Sequence, residues 1–219
     1  MIHFAFFDVD ETIILENSMF AILTRVSEQA PSIKPAVVSE RLQKMCSFGH
    51  DRAVINREFY REFKGLPRDE VRDISAKYIY DSLAKKGRFI VETVVSQLEH
   101  YRGKGYQPVF VSGSAVDFIE PLAAHLRVRH CLATWLEVDS DGRYTGEIKG
   151  EPMIGVGKRT AVQDFLALYG GKPEDCAGFG DHISDLPFLE IVGQPHVVGP
   201  YDHALIAIAS QRGWPVLSP

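Results

Sequence analysis

The sequence predicts an α/β protein, a parallel sheet with helices on both faces, interrupted once by a helical insertion. Three observations predict it. The opening segment Ile2-His3-Phe4-Ala5-Phe6-Phe7 is short, apolar and aromatic, as a strand covered on both faces must be. Beyond residue 87, short apolar runs alternate with amphipathic helical stretches, the order that builds parallel strands through right-handed crossovers. Between these, residues 17–86 carry helical periodicity and no strand signal.

Each element has its own signal. In the insertion, Met19, Phe20, Ile22, Leu23 and Val26 recur at helical spacing behind Ser18, a residue suited to an N-cap. Pro31 and Pro35 interrupt the pattern, a second helix follows from Ala36 to Cys46, and Gly49 breaks it. Asp51 can cap a third helix with Val54, Ile55, Phe59 and Phe63 on one face; Gly65-Leu66-Pro67 is the next break, and a fourth helix runs to about Lys85. After the insertion, Phe89–Tyr101 reads as a helix stopped by Gly103 and Gly105. Pro108–Val111 reads as a strand entering Ser112-Gly113-Ser114, Ala115–Leu126 as a helix and Val128–Leu132 as a short strand. Asp141-Gly142 between Leu136-Glu137-Val138 and Tyr144–Ile148 is a hairpin signal. Lys158–Tyr169 is a helix closed by Gly170-Gly171, Cys176–Gly180 a small-residue strand entering Asp181, His196–Val198 a last strand and Tyr201–Gln211 a last helix.

Composition sets the outer bounds. The 219 residues suffice for one full core plus an inserted subdomain, and we expect a core domain of residues 1–16 and 87–219 with a helical domain of residues 17–86. Lys+Arg is 24 against Asp+Glu 29, with no basic stripe, which argues against a nucleic-acid partner. The apolar run Ile2–Phe7 is far short of the roughly 20 residues that span a bilayer. It also lacks the basic flank and cleavage site of a signal peptide. Cys46, Cys131 and Cys176 are odd in number and scattered, so neither a disulfide framework nor a zinc site is expected, and a cytoplasmic setting fits.

Ligands of open α/β sheets bind at the carboxyl ends of the strands. Three strand ends collect Asp8, Asp10, Thr12, Ser112, Gly113, Asp181 and Asp185 on one edge. Carboxylates brought to ~4 Å repel by about 4 kcal/mol per pair at an effective dielectric near 20, so a cation belongs among them. An all-oxygen set suits Mg²⁺. The amides of Ser112 and Gly113, beside an expected helix start, suit an anion, and Lys158 can give that anion a point charge. An aspartate nucleophile, Mg²⁺, an anion cradle and a lysine together describe phosphoryl transfer through an aspartyl-phosphate.

These residues resemble the four motifs of the haloacid dehalogenase superfamily. Asp8-Val9-Asp10-Glu11-Thr12 after an apolar strand is similar to its DxDxT motif, and Val109-Phe110-Val111-Ser112-Gly113 to its second motif. Gly157-Lys158 is similar to the third and Gly180-Asp181-His182-Ile183-Ser184-Asp185 to the GDxxxD form of the fourth. The order is right and the resemblance spans essentially the whole chain. The insertion looks like a C1 cap, and the hairpin and the Gly-Trp-Pro-Val-Leu ending resemble the phosphoserine-phosphatase-like branch, subfamily IB. The resemblance implies a Rossmann-like core with this cap. It also implies a Mg²⁺-dependent phosphomonoesterase acting on a small phosphorylated metabolite. Asp8 would be nucleophile and metal ligand; Asp10 would be general acid and base, with its carbonyl on the metal. Thr12 would brace the first loop, Ser112 and Gly113 would hold the phosphoryl oxygens, and Lys158 would neutralise Asp8 and phosphate. Asp181 would complete the metal site and Asp185 would orient Lys158 or a metal-bound water. A phosphotransferase of the same fold, or a phosphate-binding protein without catalysis, stays open. Dehalogenation is not expected, because expelling halide needs no second aspartate and Asp10 is present.

In phosphoserine phosphatases a Glu shortly after DxDxT, with a cap Arg, reads the ammonium and carboxylate of the substrate. The Glu position falls on Asn17, which suits a hydroxyl or amide better than an ammonium. The Arg position falls near Phe59, so Arg57 and Arg61 are the candidate substrate residues, with Arg52 and Lys64 as further contacts to a second anionic group.

Overall fold

The computed structural model describes residues 2–85, 87 and 89–219; Lys86, at the expected boundary between insertion and core, lies outside them. Strand β1 (His3–Phe7) lies at the centre of one sheet, paired in parallel with β2 (Tyr106–Ala115) on one side and β5 (Ala177–Gly180) on the other. β3 (His130–Val138) joins β2, β6 (Gln194–Val198) joins β5 and β7 (Val216–Leu217) joins β6, all in parallel. β4 (Tyr144–Lys149) returns antiparallel on β3, so the order is β4-β3-β2-β1-β5-β6-β7.

The alternation along β1 explains the double layer of helices. Side chains on a strand point alternately to opposite faces. Phe4 and Phe6 join one buried cluster with α7 (Val156–Tyr169), α8 (Leu186–Leu189) and α9 (His203–Arg212). Ala5 and Phe7 join the other, with α5 (Glu92–Gly103) and α6 (Val116–His125). The insertion supplies α1 (Ser18–Gln29), α2 (Pro35–Ser47), α3 (Arg52–Tyr60) and α4 (Arg68–Leu83), and its Ile22, Leu23, Phe59, Phe63 and Ile79 belong to that second cluster. The insertion therefore shares its apolar core with α5 and α6. Among the described residues no helix is long and apolar enough to cross a membrane.

Three expectations are corrected. Asn17, not Ser18, caps α1, its side chain accepting from the Phe20 N–H. Ser112-Gly113-Ser114 does not turn: β2 continues to Ala115 with a register shift, so the Ser112 and Gly113 amides precede the start of α6 at Val116. The short strand and first hairpin arm are one continuous strand, His130–Val138. The Val-Leu ending forms β7, an edge strand too short for a periodicity signal.

Gly157 lets α7 start against its own approach loop. A Cβ there would lie 2.0 Å from the Pro152 carbonyl oxygen, which is backbone and cannot yield. Gly157→Ala therefore costs about 1–3 kcal/mol of overpacking. At roughly 2–4 °C per kcal/mol for a chain of this length, a melting curve should fall by several degrees, whereas an unchanged midpoint refutes the packing.

Candidate active site

Asp8 follows β1 directly, and its N–H still donates to the Phe179 carbonyl of β5 at 2.9 Å. The chain then turns tightly. Ile13 and Ile14 both donate to the Val9 carbonyl, at 2.8 and 3.0 Å, and Glu11 sits at φ +58°, a left-handed conformation uncommon outside glycine. The turn brings Thr12 back so that its hydroxyl donates to Asp181 Oδ1 at 2.8 Å, joining the loops after β1 and β5.

Lys158, from the first turn of α7, is 2% exposed. Its Nζ lies 2.8 Å from Asp8 Oδ1 and 2.6 Å from Asp185 Oδ1. Asp185 Oδ2 accepts the Asp181 and His182 N–H groups, each at 3.2 Å, so both Asp185 oxygens are engaged. Burial raises the Asp8 carboxyl well above the usual carboxylate range even against Lys158, with Asp185 and Asp10 adding repulsion. Burial and the charges of Asp8 and Asp185 raise Asp181 further. Burial alone would lower the Lys158 ammonium, but Asp185 and Asp8 outweigh it and hold it above its ordinary value. Asp8, Asp181 and Asp185 each offer a carboxylate oxygen within 4.8 Å of the others. Three carboxylates and one ammonium leave a negative excess in a buried place. The donors are all oxygen, so the set fits a hard divalent cation, with Asp8 and Asp181 as the free donors.

Asp10 has different company. Its Oδ1 accepts the Ser18 N–H at 2.6 Å and its Oδ2 the Ser114 hydroxyl at 2.5 Å, while the Ser18 and Ser114 hydroxyls meet at 2.8 Å. Burial raises its carboxyl above the ordinary value although these hydrogen bonds pull the other way. At the end of β2, Ser112 Oγ accepts the Ser114 N–H at 3.0 Å, which leaves its own proton free to be given to an anion. The Gly113 carbonyl collects three donors: Tyr60 OH at 2.8 Å, Thr134 Oγ1 at 2.9 Å and Asn56 Nδ2 at 3.1 Å. They fix the peptide between Gly113 and Ser114, whose N–H is the one donated to Ser112 Oγ.

A cavity of 350 Å³ lies between the insertion helices and the core, lined by Asn17, Met19, Phe20, Asn56, Phe59 and Ile154 among others. Arg52 lines it too, and its guanidinium lies 2.6 Å from His182 Nε2. Asn17 lines this cavity while its side chain caps α1. Arg57 and Arg61 do not line this cavity. Arg57 donates to the Gly150 carbonyl at 3.0 Å and pairs with Glu151, and Arg61 pairs with Glu58 and Glu147. The reason is helical spacing: 52, 56 and 60 share one face of α3, and 57 and 61 the next. Sequence reading missed Ser114, Asn56, Tyr60 and Thr134. The usable signal was the polar pair Asn56 and Tyr60, four residues apart on a largely apolar helix.

A family model described as haloacid dehalogenase-like hydrolase matches residues 5–190. A probable phosphatase of Mycobacterium tuberculosis is 32% identical over 98% of this chain and 74% of its own length. A histidinol-phosphatase of Neisseria meningitidis is 30% identical over 74% of this chain and 65% of its own. Among solved structures, a Bordetella pertussis protein of unknown function superposes with TM-score 0.85 at 24% identity, covering 99% of this chain and 98% of its own. A substrate-bound phosphoserine phosphatase superposes with TM-score 0.67 at 18% identity over 90% of this chain and 86% of its own.

Lys158→Met leaves buried carboxylates without their counter-charge, which costs about 3–5 kcal/mol where they are ionised. The raised Asp8 and Asp181 take up protons on acidification, and the excess charge disappears with them. Urea unfolding should therefore show a larger loss at pH 8 than at pH 5; an equal loss at both refutes the charge account.

Proposed function

The chain belongs to the haloacid dehalogenase-like hydrolases, and from that premise we propose that it is a Mg²⁺-dependent phosphomonoesterase working through an aspartyl-phosphate on Asp8. Its substrate is a small phosphorylated metabolite. The observation that carries this reading is the convergence on Lys158 of Asp8 and Asp185, with Asp181 beside them. The phosphatase names of the relatives support the reaction class.

Asp8 attacks phosphorus, the phosphorus–oxygen ester bond breaks, and Asp10 gives its proton to the departing alcohol. Asp10 then takes a proton from water, the water oxygen attacks phosphorus, and the bond to Asp8 breaks to release phosphate. Burial raises the Asp10 carboxyl and so favours its protonated form, while Lys158 pulls Asp8 toward its ionised form against the burial that raises it. Ser112 Oγ and the Gly113 amide hold the phosphoryl oxygens, and Lys158 offsets their charge. Asp8, Asp181 and the Asp10 carbonyl would hold Mg²⁺, which supplies charge neutralisation and a template for the phosphoryl oxygens. Thr12 positions Asp181, and Asp185 positions Lys158. Residues 17–86 act as a cap over the core of 1–16 and 87–219. The cap keeps bulk water from the intermediate and limits substrate size. Asn17 stands in the cap cavity as a substrate residue, whereas Arg57 and Arg61 serve the contact with residues 147–151. The free thiols of Cys46, Cys131 and Cys176 suit a reducing cytoplasm.

The test is phosphate release from a panel of small phosphomonoesters, with Mg²⁺ and with EDTA. Release that needs Mg²⁺, vanishes in Asp8→Asn and is slowed for alkyl esters in Asp10→Asn is expected. Turnover by Asp8→Asn overturns the mechanism, and transfer of phosphate to an added alcohol in place of water makes the protein a transferase.

A second prediction concerns pH. The folded Asp8 and Asp181 values lie above those of the unfolded chain. The stability this pair contributes is therefore full below about pH 4 and is lost as pH rises through the folded values. Mg²⁺ binds the ionised forms, so its stabilisation grows in the same direction. The melting temperature should rise more on adding Mg²⁺ at pH 8 than at pH 5.5. The opposite order excludes these aspartates as ligands.

A further inference from the structure

The cavity under the insertion has mostly apolar walls, including Met19, Phe20, Leu42, Ile55, Phe59 and Ile154. It has room for a leaving group of roughly ten non-hydrogen atoms, taking ~30 Å³ as the share of one water. Asn17, Ser39, Gln43, Arg52 and Asn56 add polar groups to that wall, and of these Asn56 alone is buried, at 5% exposed. Its Nδ2 donates to the Gly113 carbonyl at 3.1 Å and lies 3.8 Å from Met19 Sδ. That bond settles which end of the amide is which, because a carbonyl oxygen accepts a hydrogen bond and repels another acceptor. Oδ1 is therefore held away from Gly113, and it is buried with no hydrogen-bond partner. Among the described residues one other buried side-chain oxygen lacks a partner, Ser82 Oγ on α4, and Ser82 is not among the residues lining this cavity. An unpaired buried acceptor is costly, and pairing it on binding returns that cost as selectivity for a partner that can donate.

We propose that Asn56 determines specificity: its Oδ1 accepts a hydrogen bond from a neutral donor, a hydroxyl or an uncharged N–H, on the alcohol half of the substrate. This rests on the phosphomonoesterase reading. The donor is neutral because the cavity is lined by no aspartate or glutamate and by one cation, Arg52, which repels an ammonium. Met19, unbranched and flexible, lies against the nitrogen end of the same amide, 3.8 Å from Nδ2, and adapts as the cavity fills. Since the same amide anchors Gly113, the reader of the leaving group and the cradle for phosphate are held at a fixed separation by one side chain.

The experiment separates the two claims. Calorimetry with Mg²⁺ present measures binding of butylphosphonate, (4-hydroxybutyl)phosphonate and (4-aminobutyl)phosphonate, and phosphate release is measured from the matching phosphate esters. The hydroxyl compound is expected to bind at least tenfold more tightly than either of the others, with the same order in kcat/KM. In Asn56→Leu the preference for hydroxyl over plain butyl should collapse to within about twofold, whatever the absolute rate. Wild-type protein that binds or hydrolyses the butyl and hydroxybutyl compounds equally well overturns the inference with no variant needed, as does an Asn56→Leu protein that keeps the preference. Preferential binding without phosphate release leaves Asn56 as the reader and overturns the phosphatase reading. No binding of any of the three overturns the inference.

Discussion

One buried ammonium holds the site together. Lys158 Nζ is within 2.8 Å of Asp8 and Asp185, groups from the loops after β1 and β5, and α7 exists in this position to deliver it. The close backbone approaches around it serve the same end. A Cβ on Gly180 would lie 2.7 Å from the Asp185 carboxylate, so only glycine at the end of β5 lets Asp185 fold back over the strand toward Lys158. Asp185 in turn uses its second oxygen on two backbone N–H groups, which shapes the loop that carries Asp181. Removing the lysine therefore disturbs the positions of three carboxylates at once, and the fold of the fourth motif follows from a charge two elements away.

The insertion is tied to the core by bonds of unequal strength. At the α4 end, Arg68 grips the buried Asp117 of α6 with two hydrogen bonds, at 2.9 and 2.8 Å, and Tyr144 OH adds a third at 2.8 Å. Such bidentate charged pairs are the strong ones. At the site end, neutral buried bonds from Tyr60 and Asn56 to the Gly113 carbonyl and from Ser18 to Ser114 stand beside the more exposed pairs of Arg57 with Glu151 and Arg61 with Glu147. The bonds from Tyr60 and Asn56 end on the Gly113–Ser114 peptide, so the insertion helices meet the end of β2 next to Ser112.

Much of this was legible in the sequence where the signal is local. The central strand, the four insertion helices and the acidic residues at strand ends follow from apolar runs, periodicity and breakers, and the structure brings Asp8, Lys158, Asp181 and Asp185 together. Errors arose where a distant partner decides. Ser18 is a good N-cap residue, but Ser114, far along the chain, claims its hydroxyl and Asp10 its N–H, leaving Asn17 to cap the helix. The apolar run ends at Val111, yet β2 continues through Ser112-Gly113-Ser114 to Ala115, with pairs to β3 at Ser112 and Ala115 and a register shift between them. The outward position of Arg57 and Arg61 depends on where the return of the hairpin lies, and no window of α3 contains that.

Asp8 and Asp10 are two residues apart and alike in chemistry, yet they meet different surroundings, Asp8 beside Lys158 and Asp10 beside Ser18 and Ser114. Val9 is buried and Glu11 takes the left-handed conformation, so the chain reverses immediately after Asp10. Asp8 then meets an ammonium, which favours its charged form. Asp10 meets an amide and a hydroxyl, neither carrying charge, and burial there favours its proton. Burial raises both carboxyls; what opposes it differs, chiefly the Lys158 ammonium at Asp8 and chiefly hydrogen bonds from Ser114 and Ser18 at Asp10.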